Sequence, residues 1–98
     1  MPNLTIQNNI KLNLLRLNLI KNEEYSSVNI KLMDTEDERE YDGNYYRYYI
    51  SLNNKPLYLC EVINNKHSYY ETWFECEADY LEKFVKDDEF YYMSLNRL

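Results

Sequence analysis

Alternating apolar stretches separated by asparagine-rich turns occupy residues 45–76, and they constrain the fold more than any other feature. The stretches cover residues 45–52, 57–63 and 68–76, with breaks at 53–56 and 64–67. Runs of this length with period-two alternation and short polar turns are typical of an antiparallel β-meander. The segment therefore predicts three consecutive strands of one sheet.

The loop positions predict a register and hence two faces. With loops at 53–56 and 64–67, Ile50 opposes Leu59, and Leu59 opposes Thr72. The predicted core face holds Tyr46, Tyr48, Ile50, Leu52, Leu57, Leu59, Ile63, Tyr70 and Phe74. The predicted second face holds Tyr45, Arg47, Tyr49, Tyr58, Cys60, Val62, Tyr69, Glu71, Trp73 and Glu75. A slip of one residue would exchange the faces of a strand.

Segments outside the meander complete an α+β prediction. Residues 10–20 alternate with a phase shift near Leu14, which predicts a bulged strand that pairs with residues 28–32 in a first hairpin. Apolar residues at helical spacing predict a C-terminal helix near 77–86. Residues 90–95 fit either a last strand or a short second helix. We expect a single domain over residues 1–98, mostly antiparallel sheet of about five strands with that helix.

The charge balance restricts the partners. The net charge is −6, and residues 34–98 carry fifteen acidic and seven basic residues, a net of −8. This balance argues against direct contact with nucleic-acid phosphates, which requires a basic footprint. It favours basic protein partners. Without an apolar run of membrane-spanning length or a signal peptide, we expect no membrane partner and a cytoplasmic location, in the host cytoplasm if the chain is of phage or viral origin.

Residues with catalytic potential are few, so we predict that the protein is not an enzyme. Cys60 and Cys76 fall on opposite faces of the predicted sheet and are expected to be buried thiols. The single histidine, His67, lies in a predicted turn, so neither a metal cluster nor a cofactor site is expected. An enzymatic alternative would use Glu61, which the register places among apolar neighbours.

Acidic residues form the first predicted partner-binding surface. Its members are Asp34, Glu36, Asp37, Glu38, Glu40, Asp42, Asp87, Asp88 and Glu89. Duplex DNA presents one charge per about 1.7 Å of its axis, and a dense row of carboxylates can imitate that field. Residues 34–42 are expected to form a charged loop, and the alternative is that this loop is only solvated and binds no partner.

Aromatic residues form the second predicted partner-binding surface, on the second face of the meander. Its members are Tyr45, Tyr49, Tyr58, Tyr69 and Trp73. Tyrosine and tryptophan are enriched at protein-interface hot spots. The alternative is that another element covers these residues as a second core layer.

These features predict a non-enzymatic inhibitory or regulatory binding protein that docks on a basic, nucleic-acid-handling partner. In size, acidity and lack of catalytic residues, the chain resembles small phage or viral proteins that block host defence, such as anti-CRISPR or anti-restriction inhibitors. The resemblance is one of type and rests on no family motif. The alternative is a small self-associating structural or assembly protein of a virus or mobile element, and a homodimer is compatible with both.

Overall fold

A computed structural model describes residues 4–38, 43–64, 78–86 and 88–98. Within these residues one helix packs on one face of a five-stranded sheet. The elements are α1 (Leu4–Arg16), a 3₁₀ helix (Asn22–Ser27), β1 (Val28–Glu38), β2 (Gly43–Leu52), β3 (Lys55–Asn64), β4 (Tyr80–Lys86) and β5 (Glu89–Arg97). The strand order is β1-β2-β3-β5-β4, and every neighbouring pair is antiparallel.

Residues 10–16 belong to α1, so the prediction of a bulged N-terminal strand and of its hairpin with residues 28–32 is wrong. Ile6, Ile10 and Leu14 are fully buried, and their spacing of four residues forms one helical stripe. Leu12 is exposed, on the opposite side of the helix. Within residues 10–20 alone, the leucines would lie on all sides of a helix. The buried stripe becomes visible only when Ile6 is included, and Ile6 lies outside that stretch.

Backbone hydrogen bonds define the end of α1. The amide of Leu19 donates to the carbonyl of Leu14 at 2.9 Å, and the amide of Asn18 donates to the carbonyl of Leu15 at 2.9 Å. Asn18 has a φ of 59°. This arrangement is a Schellman motif with asparagine in the left-handed position. It stops the helix and directs the chain back towards the sheet.

The β2 and β3 strands confirm the first two strands of the predicted meander, but their predicted register is wrong by one residue. Leu52 pairs with Lys55 around a two-residue turn, and a bulge follows in which Leu57 has no partner on β2. The turn residues Asn53 and Asn54 have φ values of 51° and 65°, as a type I′ hairpin requires. The predicted third strand, over 68–76, lies outside the described residues.

The shift in register exchanges the two faces of β3. Tyr58, Cys60 and Val62 pair with β2 on the side that faces α1, and all three are buried. Leu57 and Leu59, which were assigned to the core face, are half-buried. The buried core comprises Ile6, Ile10, Leu14, Ile20, Val28, Ile30, Tyr48, Ile50, Tyr58, Cys60, Val62, Tyr91, Met93 and Leu95.

The predicted C-terminal helix near 77–86 is wrong, because residues 80–86 form β4 and pair with β5 along their full length. Phe84 lies opposite Tyr91, and their rings stack with centroids 5.2 Å apart. Asp88 has a φ of 63° in the turn between the two strands. Cross-strand packing therefore overrides the helical spacing of the apolar residues. Residues 90–95 are strand.

Candidate functional site

The topology brings two groups of acidic residues to the same end of the sheet. Because every neighbouring pair is antiparallel, β1, β3 and β4 run in one direction, and β2 and β5 run in the other. The last residues of β1, the β4–β5 turn and the first residue of β5 therefore share one end. We call it the acidic end. Its described acidic residues are Glu36, Asp37, Glu38, Asp88 and Glu89.

The opposite end of the sheet has a mixed charge. It carries Lys55, beside the β2–β3 turn, and Arg97, at the end of β5. The backbone amide of Arg97 donates to the Asp79 carboxylate at 2.5 Å. This end therefore carries both signs of charge, whereas the acidic end carries five acids and one base, Lys86, among the described residues.

The predicted loop over 34–42 is wrong for residues 34–38, which continue β1. Asp34 lies opposite Arg47, Glu36 opposite Tyr45 and Glu38 opposite Gly43. The strand shifts register between Leu32 and Asp34, at Met33. Its acidic residues are therefore spaced by the regular rise of an edge strand. Glu40 and Asp42 lie outside the described residues.

Acidic residues of the β4–β5 hairpin differ in their surroundings. Asp88 is exposed in the turn, and Glu89 begins β5. Glu82, in the middle of β4, is bonded to Arg16 of α1 and keeps only 20 % of its side chain exposed. Asp87 lies outside the described residues. Of these acids, Asp88 and Glu89 belong to the acidic end, whereas Glu82 forms an ion pair with α1.

The structure does not bring the predicted aromatic surface together as one patch. Tyr45 pairs with Glu36 and Ile63, and Tyr49 is half-buried between Lys31 and Leu59. Tyr58 lies on the opposite face, in the core. Tyr69 and Trp73 lie outside the described residues. Of the set, Tyr49 therefore lies on the face away from α1, and Tyr58 lies on the opposite face.

A polar row crosses this same face. Arg47 of β2 lies opposite Glu61 of β3, and Glu61 lies opposite Ser94 of β5. Arg47 Nε and Ser94 Oγ are buried and have no hydrogen-bond partner among the described residues. Glu61 thus sits in a row with a base and a hydroxyl, so the prediction that it lies among apolar core neighbours is wrong. The row also interrupts the predicted aromatic surface.

An aromatic cluster surrounds Arg97 at the mixed-charge end. A hydrogen bond from the guanidinium to the Tyr58 hydroxyl raises the pKa of Arg97, and the phenols of Tyr58 and Tyr80 and the charge of Asp79 act in the same direction. The rings of Tyr58 and Tyr80 meet edge to face with centroids 6.2 Å apart. The Tyr58 hydroxyl is therefore engaged by Arg97 within the fold.

The exposed apolar pair Val85 and Phe90 was not anticipated from the sequence. These two residues lie opposite each other on β4 and β5 and keep 57 % and 55 % of their surface exposed. They flank the turn at the acidic end, on the face away from α1. The signal that could have identified them is period-two alternation on both sides of residues 87 and 88, which indicates a hairpin.

Groups suited to catalysis or metal binding are sparse in the described part of the chain. Residues 4–38, 43–64, 78–86 and 88–98 contain no group of three histidine, cysteine, aspartate or glutamate side chains placed to hold a metal ion. Cys60 is fully buried, and burial raises the pKa of its thiol, with the charge of Glu61 adding to the effect. His67 and Cys76 lie outside these residues. The helices described here fall short of the length and apolar content needed to span a bilayer.

No protein-family model, curated protein or solved structure matches this chain.

Proposed function

We propose that the protein is a non-enzymatic inhibitory binding protein that docks, through the acidic end of its sheet, on a basic and nucleic-acid-handling protein. The observation that carries the proposal is the convergence of two separate acidic segments. Residues 36–38 and residues 88–89 are fifty positions apart in sequence, yet the strand directions bring them to the same end. A basic groove could engage both groups at once.

The spacing of the acids on β1 supports the comparison with nucleic acid. Strands rise about 3.4 Å per residue, so four acids within residues 34–38 supply about one charge every 4 Å. One strand of duplex DNA carries one charge per about 3.4 Å of axis. Counted over both faces, between which successive residues alternate, the edge strand therefore carries charge along its length at a density close to that of one phosphate backbone, and it does so without bases.

The position of β1 at the edge of the sheet supports docking rather than self-pairing. An edge strand exposes unpaired backbone groups, and charged residues along it oppose pairing with another copy of the same strand. A basic partner would instead be attracted, and charge complementarity mainly accelerates association and selects the partner. Tyr45, opposite Glu36, would add an anchor beside the acids.

A displacement assay tests the proposal with a matched control. A fluorescent duplex is bound in turn to each of a panel of purified DNA- and RNA-binding enzymes, and the protein is added as competitor across a salt series. We expect the wild type to displace the duplex from at least one enzyme. Asp88→Asn combined with Glu89→Gln should weaken displacement about tenfold at low salt, because two formal charges are lost from the acidic end.

Glu23→Gln combined with Glu24→Gln is the control, since it removes the same formal charge beside the start of β1, away from the acidic end. It should leave displacement within about twofold of wild type. Equal effects of the two double variants would mean that only net charge matters, and this would overturn the docking site. Failure of the wild type to displace the duplex from any enzyme would overturn the proposed function.

A further inference from the structure

The second edge of the sheet, β4, differs from β1 in charge and in apolar exposure. β4 is last in the strand order, and its outer side pairs with no other strand of the described chain. It contains both signs of charge, Glu82, Lys83 and Lys86, whereas the acidic half of β1 contains one sign. Beside it lies the exposed pair Val85 and Phe90. Among the described residues, β4 therefore lacks the run of a single charge that opposes strand pairing at β1.

We propose that β4 is a dimerisation strand, which pairs in antiparallel orientation with β4 of a second copy of this chain. The two-fold axis passes perpendicular to the sheet at Phe84. This inference does not rest on the proposed function, because it is argued from the residues of β4 and not from the acidic end.

The charge pattern of β4 selects this register. In an antiparallel pair, residues directly opposite each other place their side chains on the same face of the sheet. A two-fold axis perpendicular to the sheet meets this condition only if it passes beside one residue of β4, which then lies opposite its own copy. Axes at Glu82, Lys83 or Phe84 keep most of each strand paired. An axis at Glu82 places glutamate opposite glutamate, and an axis at Lys83 places lysine opposite lysine, and like charges directly opposite are destabilising.

The axis at Phe84 avoids both conflicts. It places Phe84 opposite Phe84 of the second copy and, at two symmetric register positions, an acidic residue, Glu82, opposite a basic one, Lys86. Glu82 already accepts a bond from Arg16, but a carboxylate has room for more than one donor. On the other face, Val85 lies opposite Lys83 of the second copy, whose aliphatic stem can cover it. The pattern of β4 is therefore complementary to itself in one register.

The resulting assembly is closed. Pairing through β4 forms a ten-stranded sheet, which leaves both β1 strands at the outer edges, about 43 Å apart at 4.8 Å per strand step. The acids on β1 oppose further addition at those edges. A dimer rather than a filament is therefore expected.

Charge reversal tests the register. Sedimentation velocity of the full chain from micromolar to millimolar concentration should show a reversible monomer–dimer equilibrium for the wild type. Glu82→Lys and Lys86→Glu should each raise the dimer dissociation constant about tenfold or more, since each places like charges in two symmetric positions. The double variant Glu82→Lys with Lys86→Glu restores opposite charges and should return the constant to within about threefold of wild type.

Two control variants test whether the change in the dimer dissociation constant arises at β4. One removes the bond between Arg16 and Glu82, and the other changes an exposed apolar residue on α1. Arg16→Gln removes the same bond to Glu82 without changing β4 and should leave the dimer constant unchanged. Leu12→Glu changes a residue on α1 that is 55 % exposed, as Phe90 is, and should also leave it unchanged. A wild type that stays monomeric up to millimolar concentration would overturn the proposal. So would a folded double variant, verified by circular dichroism, that fails to dimerise although both single variants weaken the dimer.

If Glu82→Lys does not fold, Lys86→Glu and hydrogen exchange carry the test. Amide protection along β4 should rise with wild-type concentration, and it should rise less in Lys86→Glu. Protection that is independent of concentration in a dimeric wild type would place the interface elsewhere and overturn the assignment to β4.

Discussion

Tyr48 and Cys60 lie directly opposite each other on β2 and β3, and both side chains are fully buried beneath α1. The Tyr48 hydroxyl has no hydrogen-bond partner among the described residues. Its ring stacks with that of Tyr46, with centroids 6.4 Å apart. The core therefore holds a phenol and a thiol side by side, and each is stable only in its neutral form.

Removing the Tyr48 hydroxyl is expected to stabilise the protein. Tyr48→Phe keeps the ring and deletes an unpaired buried polar group, so the free energy of unfolding should rise by about 1 kcal/mol. Urea denaturation followed by circular dichroism measures the change. Tyr46→Phe, at a half-buried position, is the matched control and should change the free energy by less than about 0.5 kcal/mol. A loss of more than about 1 kcal/mol in Tyr48→Phe would show that the hydroxyl is bonded.

The same pair predicts loss of stability in alkali. Burial raises the pKa of the Tyr48 phenol, with the neighbouring Tyr46 and Cys60 adding to it, and burial also raises the pKa of the Cys60 thiol. In the unfolded chain these groups lose their protons near pH 8.5 for cysteine and pH 10 for tyrosine. Above these values the unfolded state binds fewer protons than the folded state, so the free energy of unfolding falls as pH rises.

Cys60→Ala isolates the contribution of the Cys60 thiol to this pH dependence of the unfolding free energy. It lowers stability at every pH by leaving a cavity. However, the fall in unfolding free energy that starts near pH 8.5 should be shallower than in wild type. Urea titrations at a series of pH values measure both slopes. Equal slopes in the two proteins would mean that Cys60 does not titrate on unfolding.

The β2–β3 hairpin shows which part of the fold could be predicted from sequence. Alternation identified both strands, because period-two burial is a local property of each strand. The register depended on two backbone details, the tight turn at Asn53 and Asn54 and the bulge at Leu57. Either detail alone shifts the pairing, and apolar side chains on both parities of β3 allowed two plausible faces. Tyr58 was therefore assigned to the surface although it lies in the core.

The two ends of the chain show why local pattern was insufficient elsewhere. Residues 10–20 and 77–86 both contain apolar residues at mixed spacing, and their structures are the reverse of those predicted. In α1 the decisive residue is Ile6, which extends the buried stripe, and in β4 it is the pairing with β5 across a short turn. The acidic residues can be read from the sequence, and their role as a binding surface stays a prediction. Their convergence at one end depends on strand directions, which composition does not contain.

Asn54→Gly should stabilise the β2–β3 hairpin. Asn54 is the second central residue of the turn and has a φ of 65°, where glycine avoids the steric cost of a Cβ atom. We expect the free energy of unfolding to rise by about 0.5 kcal/mol, whereas Asn54→Ala should lower it by about 1 kcal/mol. Thermal and urea denaturation of the two variants provide the measurement. A loss of stability in Asn54→Gly, or equal effects of the two variants, would show that the turn geometry is different.

Asn18 is expected to control the end of α1. Its φ of 59° is unfavourable for a β-branched residue, so Asn18→Val should lower the free energy of unfolding by about 1–2 kcal/mol. Asn18→Gly should leave stability unchanged or raise it by up to about 1 kcal/mol. The two substitutions remove the same amide, so their difference isolates backbone conformation. Urea denaturation measures it, and equal effects would exclude the left-handed conformation.

The bond between Arg16 and Glu82 is expected to make a small and salt-dependent contribution to stability. Arg16 is 58 % exposed, so water screens the pair, although Asn13 Oδ1 also accepts from the guanidinium at 3.2–3.3 Å and orients it. A double-mutant cycle of Arg16→Ala and Glu82→Ala should give a coupling energy of about 0.5 kcal/mol, measured by urea denaturation at a concentration where the chain is monomeric. The coupling should shrink as salt is raised, because the Debye length falls to about 3 Å at molar salt.

Lys11, whose Nζ lies 5.3 Å from the Tyr25 ring centroid, supplies the control, since Lys11→Ala should show no coupling to Glu82→Ala. A coupling between Arg16 and Glu82 that persists in molar salt would show instead that the pair acts through packing of α1 against β4.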